Sequence, residues 1–225
     1  MDDSEVIRFD ILRTDRVSDS VFDEVRRLFG ENYRDANIAY LERSLGKLRF
    51  LSIARSAAGV AAGFALAEAR VMDLPRLPRS NVHLHGLACV GTDFRRHGLF
   101  GKLERAALSG NPLPPAERLL GCGRCAHPAS FRNFFNNPAA VPHRSHRPTE
   151  WQREVGISIA EAYGSPSFDP ETFVVGGSGV PIGWPVIEIE ATQEEWKMFE
   201  PVDRNKGDSL LGIAWSPGPP PGWMD

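Results

Sequence analysis

The stretch from Val82 to Leu108, VHLHGLACVGTDFRRHGLFGKLERAAL, decides the fold of this chain. It begins with a mostly apolar run that is typical of a buried strand, and it ends with apolar residues at helical spacing between Leu99 and Ala107. Between the two lies a basic turn that contains a glycine, Arg95-Arg96-His97-Gly98. The stretch therefore predicts a strand, a turn and a helix in succession.

The predicted turn has the composition of an anion-binding site. The first amides of a helix have no partner within the helix, and they lie at the positive end of its dipole. Gly98 has no Cβ, so the main chain can approach a ligand closely there. Arg95, Arg96 and Lys102 add positive charge nearby. This pattern predicts a phosphate or diphosphate site that is built mainly from backbone.

The same segment resembles the acetyl-CoA-binding motif of the GCN5-related N-acetyltransferases (GNAT proteins). In that family, a hydrophobic strand that ends in Val is followed by a short turn and then by Arg/Gln-x-x-Gly-x-Gly/Ala. Here Val90, Gly91-Thr92-Asp93-Phe94 and Arg95-Arg96-His97-Gly98-Leu99-Phe100 follow in the same order. Phe100 stands where the family usually has Gly or Ala, and a bulky side chain is tolerated there if it points into the core.

A second block also resembles the family, whose corresponding helix commonly reads Asn-Pro-Ala-Ser-x-Arg-x-Tyr and is followed by Gly-Phe. Pro128-Ala129-Ser130 and Arg132 match this pattern. His127 replaces the usual Asn, Phe134 replaces the usual Tyr, and Pro138-Ala139 replaces Gly-Phe. The resemblance covers roughly residues 5 to 140.

The resemblance implies a GNAT-like α/β fold with a mixed, mostly antiparallel central sheet flanked by helices. It implies acetyl-CoA, or another acyl-CoA, as the cofactor, and no metal is expected. A backbone amide at the end of the strand then stabilises the oxyanion of the thioester carbonyl. The residues that the resemblance assigns to the cofactor are Cys89, Val90, Arg95, Arg96, His97, Gly98, Leu99, Phe100 and Ser130.

Transfer of an acyl group to an amine also requires a base that removes a proton from the amine. His83 and His85 lie two residues apart on one predicted strand and so share a face, and an imidazole titrates near neutral pH. Glu68, on the strand before, is a second candidate for the base. A structural histidine and a solvated glutamate are the alternatives for these residues.

The sulfur that leaves must also be stabilised or protonated. In many relatives the Tyr of the second block donates a proton to it, and Phe134 cannot do so. Cys125, Ser130 or His127 are candidates for this role, and departure of coenzyme A as the thiolate is the alternative.

The predicted order of elements agrees with the acetyltransferase fold. Before the central stretch, the patterns predict a strand over Val6–Leu12, a helix from Ser18 or Asp19 to Gly30, a helix over 35–48, and a hairpin of strands Arg49–Arg55 and Val60–Met72. After it they predict a strand over Arg118–Cys125 and a helix that begins near His127.

Residues 1–150 therefore form a predicted GNAT-like core, and residues 151–225 supply closing strands and an extension that packs on it. Segments 155–160, 172–175, 186–191 and 210–215 have strand character. The proline-rich tail after Ser216 is expected to be extended. This extension is expected to flank the acceptor site or to form a homodimer contact.

Composition narrows the class of protein. The chain has 225 residues, 42% of them hydrophobic and 24% charged, which is ordinary for a globular protein. Its net charge of −3 gives no reason to expect nucleic acid as a partner. No apolar run is long enough to span a membrane, and the acidic start Met1-Asp2-Asp3 is unlike a signal peptide. We therefore expect a cytoplasmic protein without a membrane or nucleic-acid partner.

Two groups of residues leave metal binding open as an alternative. Cys122 and Cys125 have metal or redox spacing and His127 follows them, although two cysteines on a buried strand would look the same. A His-x-His pair at His83 and His85 has ligand spacing too, and two further histidines, at 143 and 146, could complete a zinc site. Three cysteines, an odd number, argue against a disulfide framework.

The leading hypothesis is an acyl-CoA-dependent N-acyltransferase with an unidentified small-molecule or peptide amine as acceptor. A non-catalytic acyl-CoA-binding or interaction module of the same fold is the first alternative. A zinc-dependent hydrolase built on the histidines is the second.

Overall fold

A computed structural model gives the fold and describes residues 6–165 and 167–225, so the acidic start Met1-Asp2-Asp3 lies outside the described residues. The helices are α1 (Asp19–Asn32), α2 (Ile38–Leu45), α3 (Leu99–Ser109), α4 (Pro128–Phe135), α5 (Glu150–Ala162) and α6 (Gln193–Lys197). The strands are β1 (Val6–Arg13), β2 (Tyr33–Arg34), β3 (Phe50–Ser56), β4 (Ala61–Leu74), β5 (Leu77–Val90), β6 (Leu119–Cys125), β7 (Phe168–Asp169), β8 (Val174–Val175), β9 (Trp184–Pro185) and β10 (Ser209–Ser216). None of these helices is long and apolar enough to cross a membrane.

Eight of the strands in the described ranges form one sheet, in the order β1-β3-β4-β5-β6-β10-β8-β7. The ladders of β3 with β1 and β4 are antiparallel, as are those of β10 with β6 and β8. The remaining two strands, β2 and β9, form a separate antiparallel ladder. The predicted α/β architecture, with a mostly antiparallel sheet flanked by helices, is confirmed.

The described chain divides into two compact units. The first comprises the chain up to Ala69, His85–Pro112 and Ile182–Glu188, and the second comprises Arg70–Leu84, Leu113–Pro181 and Ile189–Asp225. Strands β4 and β5 therefore begin in one unit and end in the other. Both units take segments from either side of residue 150, and the division of the sequence into 1–150 and 151–225 stays a prediction.

In the first unit, helix α3 packs closely on strands β3 and β4. Its Leu99 and Leu103 are buried against a cluster of alanines, Ala54, Ala62 and Ala65. A Cβ on Gly63 would come within 2.9 Å of Leu103 Cδ1, so β4 needs small residues where the helix lies on it. This close packing fixes the position of the turn that precedes α3.

The segment 182–188 is held against the first two helices of the same unit. Val186 N donates to Asn32 O (2.9 Å) at the end of α1, and Asn37 N donates to Ile182 O (3.0 Å). The strand of this segment is β9, which ends at Pro185 and pairs with β2. The strand predicted over 186–191 is therefore wrong. Val186, which is 50% exposed, does not form part of a core that would stabilise a strand.

In the second unit, the strand predicted over 155–160 is also wrong, because these residues lie in helix α5. The Thr149 hydroxyl accepts from Gln152 N while the Gln152 side chain accepts from Thr149 N, a capping box that starts the helix. Trp151, Val155 and Ile159 follow at intervals of four residues and are all buried. The helical period therefore determines the structure here.

The tail after Ser216 has no helix or strand, but it does not extend away from the second unit. Trp223 is only 1% exposed, and its indole N–H donates to Ala139 O (3.1 Å). Its carbonyl accepts from the Gln152 side chain (2.7 Å), and its ring contacts Trp151 and Trp215. The absence of a helix or strand agrees with the expectation for this tail, and one large aromatic side chain anchors it by burial.

Candidate functional site

The predicted strand, turn and helix are confirmed as β5, residues 91–98 and α3. Gly98 is the N-cap of α3 and lies in the left-handed region, with φ 66° and ψ 16°. Arg96 also has a positive φ, of 69°. A glycine at this N-cap supports the left-handed geometry without the steric cost of a Cβ.

Helix α3 begins without a capping side chain. The other five helices of the described ranges each have one, from Ser18, Asn37, His127, Thr149 and Thr192. At α3 the N-cap glycine offers no such group. The amides that a Ser or Asp would satisfy are therefore left for another acceptor.

The amides of residues 96–101 donate to no acceptor in the described parts of the chain. They lie at the positive end of the α3 dipole. A Cβ built on Gly98 would meet no atom within 4 Å, so the space beside these amides is open. This arrangement has the features expected of a backbone anion site, and binding of a diphosphate there stays a prediction.

In the turn, the exposed side chains are Thr92, Asp93, Arg96 and His97, and Lys102 is exposed in the first turns of α3. The positive charges of Arg96 and Lys102 are available to a ligand, and Asp93 adds a negative charge nearby. A bulky side chain at position 100 was expected to be tolerated if it pointed into the core. Phe100 is instead 45% exposed and does not point into the core. Phe100 is the second residue of α3 and belongs to the run of residues whose amides are free.

Arg95 contacts protein groups rather than open space. Its Nε donates to Val90 O (3.2 Å), one terminal nitrogen donates to Ile187 O (3.0 Å), and the other donates to Asn32 Oδ1 (3.4 Å). Asn32 is buried and also accepts from the Thr92 hydroxyl (3.2 Å). Arg95 thereby connects the end of β5, the end of α1 and the segment 182–188, and its guanidinium shapes the turn.

Cys89 does not have the properties of a reactive thiol. It is buried, and its Sγ lies 3.8 Å from Leu28 O. Burial raises the pKa of this thiol to about 12, although the nearby positive charge of Arg95 lowers it. Its contribution to a site is therefore through its backbone.

Strand β5 is irregular between Gly86 and Ala88. A Cβ on Gly86 would lie 3.2 Å from Leu66 Cβ, whereas Ala88 packs against the cluster that contains Ala65 and α3 residues. Residues two apart in a regular strand share a face, so these contacts indicate a break in the regular alternation of β5 at this point. The amide predicted to polarise the thioester carbonyl, near Cys89 or Val90, lies just beyond it.

His85 lies on the same side of β5 as helix α3. Its Nδ1 is 3.0 Å from Glu104 Oε1, and the two side chains are 27% and 16% exposed. Sequence reasoning identified the histidine and missed the glutamate. The only local signal was the position of Glu104 directly after Leu103, at the edge of the apolar stripe of α3.

The structure does not bring Glu68 to His85. Glu68 follows Ala67, which packs with Ala107 of α3, so its side chain points to the opposite face of the sheet. It is only 5% exposed rather than solvated, and its Oε1 lies 3.9 Å from Arg49 Nε. His83 belongs to the second unit.

Cys125, Ser130 and His127 also belong to the second unit. Cys125 is buried on β6, and Ser130 is exposed in the first turn of α4. His127 is the N-cap of that helix, since its Nδ1 accepts from Ala129 N (3.1 Å). Phe134 packs over Gly212 of β10, where a Cβ would come within 2.7 Å of its ring.

The cysteines and histidines considered as metal ligands are not arranged as a ligand set in the described parts of the chain. Cys122 is fully buried on β6, and burial raises the pKa of its thiol well above its usual range. The rings of His143 and His146 stack at 4.9 Å, and the His143 ring bonds to Ser145 Oγ (2.7 Å). In the described parts of the chain, no group of three His, Cys, Asp or Glu side chains is arranged to hold a metal ion.

Comparisons with known proteins give similar solved structures, while no family model and no curated protein matches the chain. One is GphF, a GNAT-like decarboxylase in complex with isobutyryl-CoA, at 15% identity over 92% of this chain and 98% of that chain, with a TM-score of 0.40. Another is the GCN5-related glucosamine N-acetyltransferase region of a fungal multi-domain GH3 β-N-acetylglucosaminidase, at 18% identity and a TM-score of 0.38. That match covers 70% of this chain but only 17% of the fungal protein.

A third is a GNAT family acetyltransferase from Brucella melitensis in complex with acetyl-CoA, at 17% identity over 56% of this chain and 81% of that chain, with a TM-score of 0.34. All three names contain the family that the two sequence blocks resemble.

Proposed function

We propose that this protein is an acyl-CoA-dependent N-acyltransferase, which moves an acetyl or other acyl group from coenzyme A to an amine by direct attack in a ternary complex. The observation that carries the proposal is the row of free amides at residues 96–101, with the left-handed Gly98 beside open space. The sequence of the same turn resembles the family's cofactor motif.

A diphosphate suits this row for electrostatic reasons. Its oxygens accept several hydrogen bonds at once, and its negative charge is favoured at the positive end of the α3 dipole. Arg96 and Lys102 are exposed and can approach the same charge. Arg95 supports the site indirectly, because its three hydrogen bonds hold the end of β5 and the turn.

The acyl end of the cofactor is proposed to lie along the end of β5. A backbone amide near Cys89 or Val90 would stabilise the oxyanion that forms when the amine attacks the thioester. His85 is the proposed base, because it is half-buried and carries a carboxylate partner. We expect a small-molecule or peptide amine as the acceptor, and a homodimer contact stays a prediction.

Isothermal titration with acetyl-CoA tests the binding step. We expect saturable binding at micromolar to millimolar ligand, and the absence of heat at millimolar acetyl-CoA would contradict the proposal. Release of free CoA thiol in the presence of a panel of primary amines tests transfer. The panel should contain polyamines, aminosugars and peptides with free N-termini.

A non-catalytic acyl-CoA-binding module is a second candidate, and Phe134 favours it. This residue stands where relatives carry a tyrosine, and its ring packs against the β10 backbone at Gly212. It has no hydroxyl with which to protonate a leaving thiolate. Binding of acetyl-CoA without thiol release for any amine of the panel would support this candidate over the enzyme.

A further inference from the structure

Strand β1 lies at one end of the order of strands in the main sheet, and in the described ranges it pairs with β3 alone. The antiparallel register between the two strands is regular from Arg8 to Arg13. Thr14 N donates to Arg49 O (2.9 Å), which continues the same register by one pair. Thr14 and Arg49 are therefore a hydrogen-bonded pair of this ladder.

The position of this pair shows which backbone groups of β1 point away from β3. Along an antiparallel ladder, hydrogen-bonded pairs alternate with pairs that are not hydrogen-bonded. Counting back from Thr14, residues 8, 10 and 12 bond to β3, and the N–H and C=O groups of Phe9, Ile11 and Arg13 point to the opposite side. No strand within residues 6–165 and 167–225 pairs with that side. Such an open edge can pair with a strand of another chain.

The side chains of β1 restrict which strand can pair with this edge. Arg8 and Asp10 lie on one face, with side chains that are 61% and 31% exposed. Phe9 and Ile11 lie on the other face, where Phe9 packs on the cluster beneath α3 and Ile11 is 42% exposed. An arginine and a carboxylate on one edge disfavour a partner that places like charges opposite them. The partner must therefore carry the opposite charges in the same spacing.

A second copy of β1 has these charges in one antiparallel register. In a two-fold symmetric pair, outward-facing residues lie opposite outward-facing residues, so the axis passes through a residue and its own copy. With the axis at Phe9, Arg8 of each chain lies opposite Asp10 of the other chain. With the axis at Asp10, the two Asp10 carboxylates oppose each other. With the axis at Ile11, Asp10 lies opposite the apolar Leu12.

We propose that two copies of this chain form a symmetric dimer by antiparallel pairing of their β1 edges, centred on Phe9. Phe9 and its copy then exchange N–H···O=C hydrogen bonds in both directions, and two pairs of Arg8 and Asp10 flank them. The register of β1 with β3 shifts between Val6 and Arg8, which keeps the regular ladder short. The dimer is therefore weak and depends on protein concentration. The proposal is independent of the proposed function, because it uses no residue of the turn at 91–98.

Sedimentation equilibrium of the full chain tests whether the dimer exists. Between about 5 and 500 µM, a range suited to a small and transient interface, we expect the mean mass to rise from the 24.9 kDa of one chain toward twice that value. Hydrogen exchange measured at both ends of this range locates the contact. The amides of Phe9 and Ile11 should exchange more slowly at the higher concentration.

The variant Arg8→Glu tests the register. Arg8 is an exposed side chain that lies 3.6 Å from Asp10, and Asp10 also accepts a hydrogen bond from Arg55, so we expect the chain to stay folded. In the dimer, the variant places a carboxylate opposite each Asp10 carboxylate. Two attractive cross-strand pairs become two repulsive ones, and the dissociation constant of the dimer should rise about 10- to 30-fold.

A mixture of two variants provides a test by rescue. Asp10→Arg alone places arginines opposite each other and should weaken the dimer as Arg8→Glu does. An equimolar mixture of Asp10→Arg and Arg8→Glu restores an opposite charge at both pairs, and we expect a heterodimer of wild-type affinity. Melting temperatures of both variants are compared with the wild type. If Asp10→Arg is unfolded, Arg8→Glu and the exchange data decide the result.

Arg26→Glu is the matched control, because it makes the same change of charge on α1. Arg26 is 56% exposed in its side chain and lies 3.9 Å from Asp23, so this variant too loses a surface ion pair. Glu24 of the same helix reaches Arg55 of the sheet (2.6 Å), and Arg26 lies about 200° further round the helix. The control should therefore dimerise with the affinity of the wild type.

A wild-type chain that is monomeric at every concentration would overturn the proposal. A dimer whose affinity Arg8→Glu leaves unchanged would overturn it as well, since that dimer would use another surface. An equal loss of affinity in Arg26→Glu would assign the effect to net charge and would also contradict it. Acetyl-CoA binding is measured separately, so a failure of this inference and a failure of the proposed function are distinguishable.

Discussion

Replacement of Gly98 by alanine is expected to weaken acetyl-CoA binding by about 5- to 30-fold. The residue has φ 66°, and a Cβ there would meet no atom within 4 Å. The cost of the substitution is therefore backbone strain and not a clash. A non-glycine residue in the left-handed conformation costs about 1–2 kcal/mol.

If the turn of the alanine variant relaxes to negative φ, binding of the ligand must restore the positive φ. The strain energy then reduces the free energy of binding by the same amount. Since about 1.4 kcal/mol corresponds to a factor of ten, 1–2 kcal/mol gives the stated range. Gly98→Asn should lose less affinity than Gly98→Ala, because asparagine tolerates the left-handed region better. Isothermal titration of both variants measures this order.

Gly59 provides a matched control. It lies in the turn between β3 and β4 with φ 81°, and a Cβ there would also meet no atom within 4 Å. Gly59→Ala therefore introduces the same kind of strain outside residues 96–101, and its acetyl-CoA affinity should stay at the wild-type value. Equal acetyl-CoA affinities of Gly98→Ala and Gly59→Ala would refute the reasoning that assigns the ligand to the amides after Gly98.

Three further predictions concern side chains whose roles the structure distinguishes. Arg95→Ala should lower the free energy of unfolding by about 1–3 kcal/mol because it removes three hydrogen bonds to protein groups, as chemical denaturation would show. Arg96→Ala should change stability by less than about 0.5 kcal/mol and weaken acetyl-CoA binding about 2- to 5-fold; the opposite pattern would contradict our assignment of the two arginines. Trp223→Ala should cost about 3–5 kcal/mol in a thermal or denaturant melt, whereas Met224→Ala, at a position 44% exposed, should stay within about 0.5 kcal/mol. Cys89, with its pKa raised to about 12 by burial, should resist iodoacetamide at pH 8 until the protein unfolds, and rapid labelling of the native protein, located by mass spectrometry, would show that this thiol is accessible.

Elements whose signal is local were predicted from the sequence. The turn between β3 and β4 closes with Gly59 N donating to Ser56 O (2.9 Å), and Ser18 caps α1 as expected. Helix α5 also had a local signal, the capping box of Thr149 and Gln152. The prediction failed there because a short apolar run of Val and Ile satisfies the strand and helix patterns alike.

In the candidate site, too, local features could be predicted from the sequence and contacts between distant residues could not. A glycine before a helix, with no capping side chain, leaves amides free through local geometry alone, so residues 95–98 could be recognised in the sequence. The role of Arg95 could not, because its partners include Asn32 and Ile187, far away in the chain. The position of Glu104 could not be predicted from the sequence either, because only the packing of α3 on the sheet places it beside His85.

The sequence by itself determined the order of strands and helices around the turn at residues 91–98 and the chemical character of that turn. Both follow from hydrophobic periodicity and from the backbone freedom of glycine, which act over a few residues. The tertiary structure alone decided that Arg95 supports the turn, that Phe100 faces solvent, that Trp223 anchors the tail, and that His85 has a carboxylate partner. These facts depend on which distant segments pack together, and packing is determined by the whole chain at once.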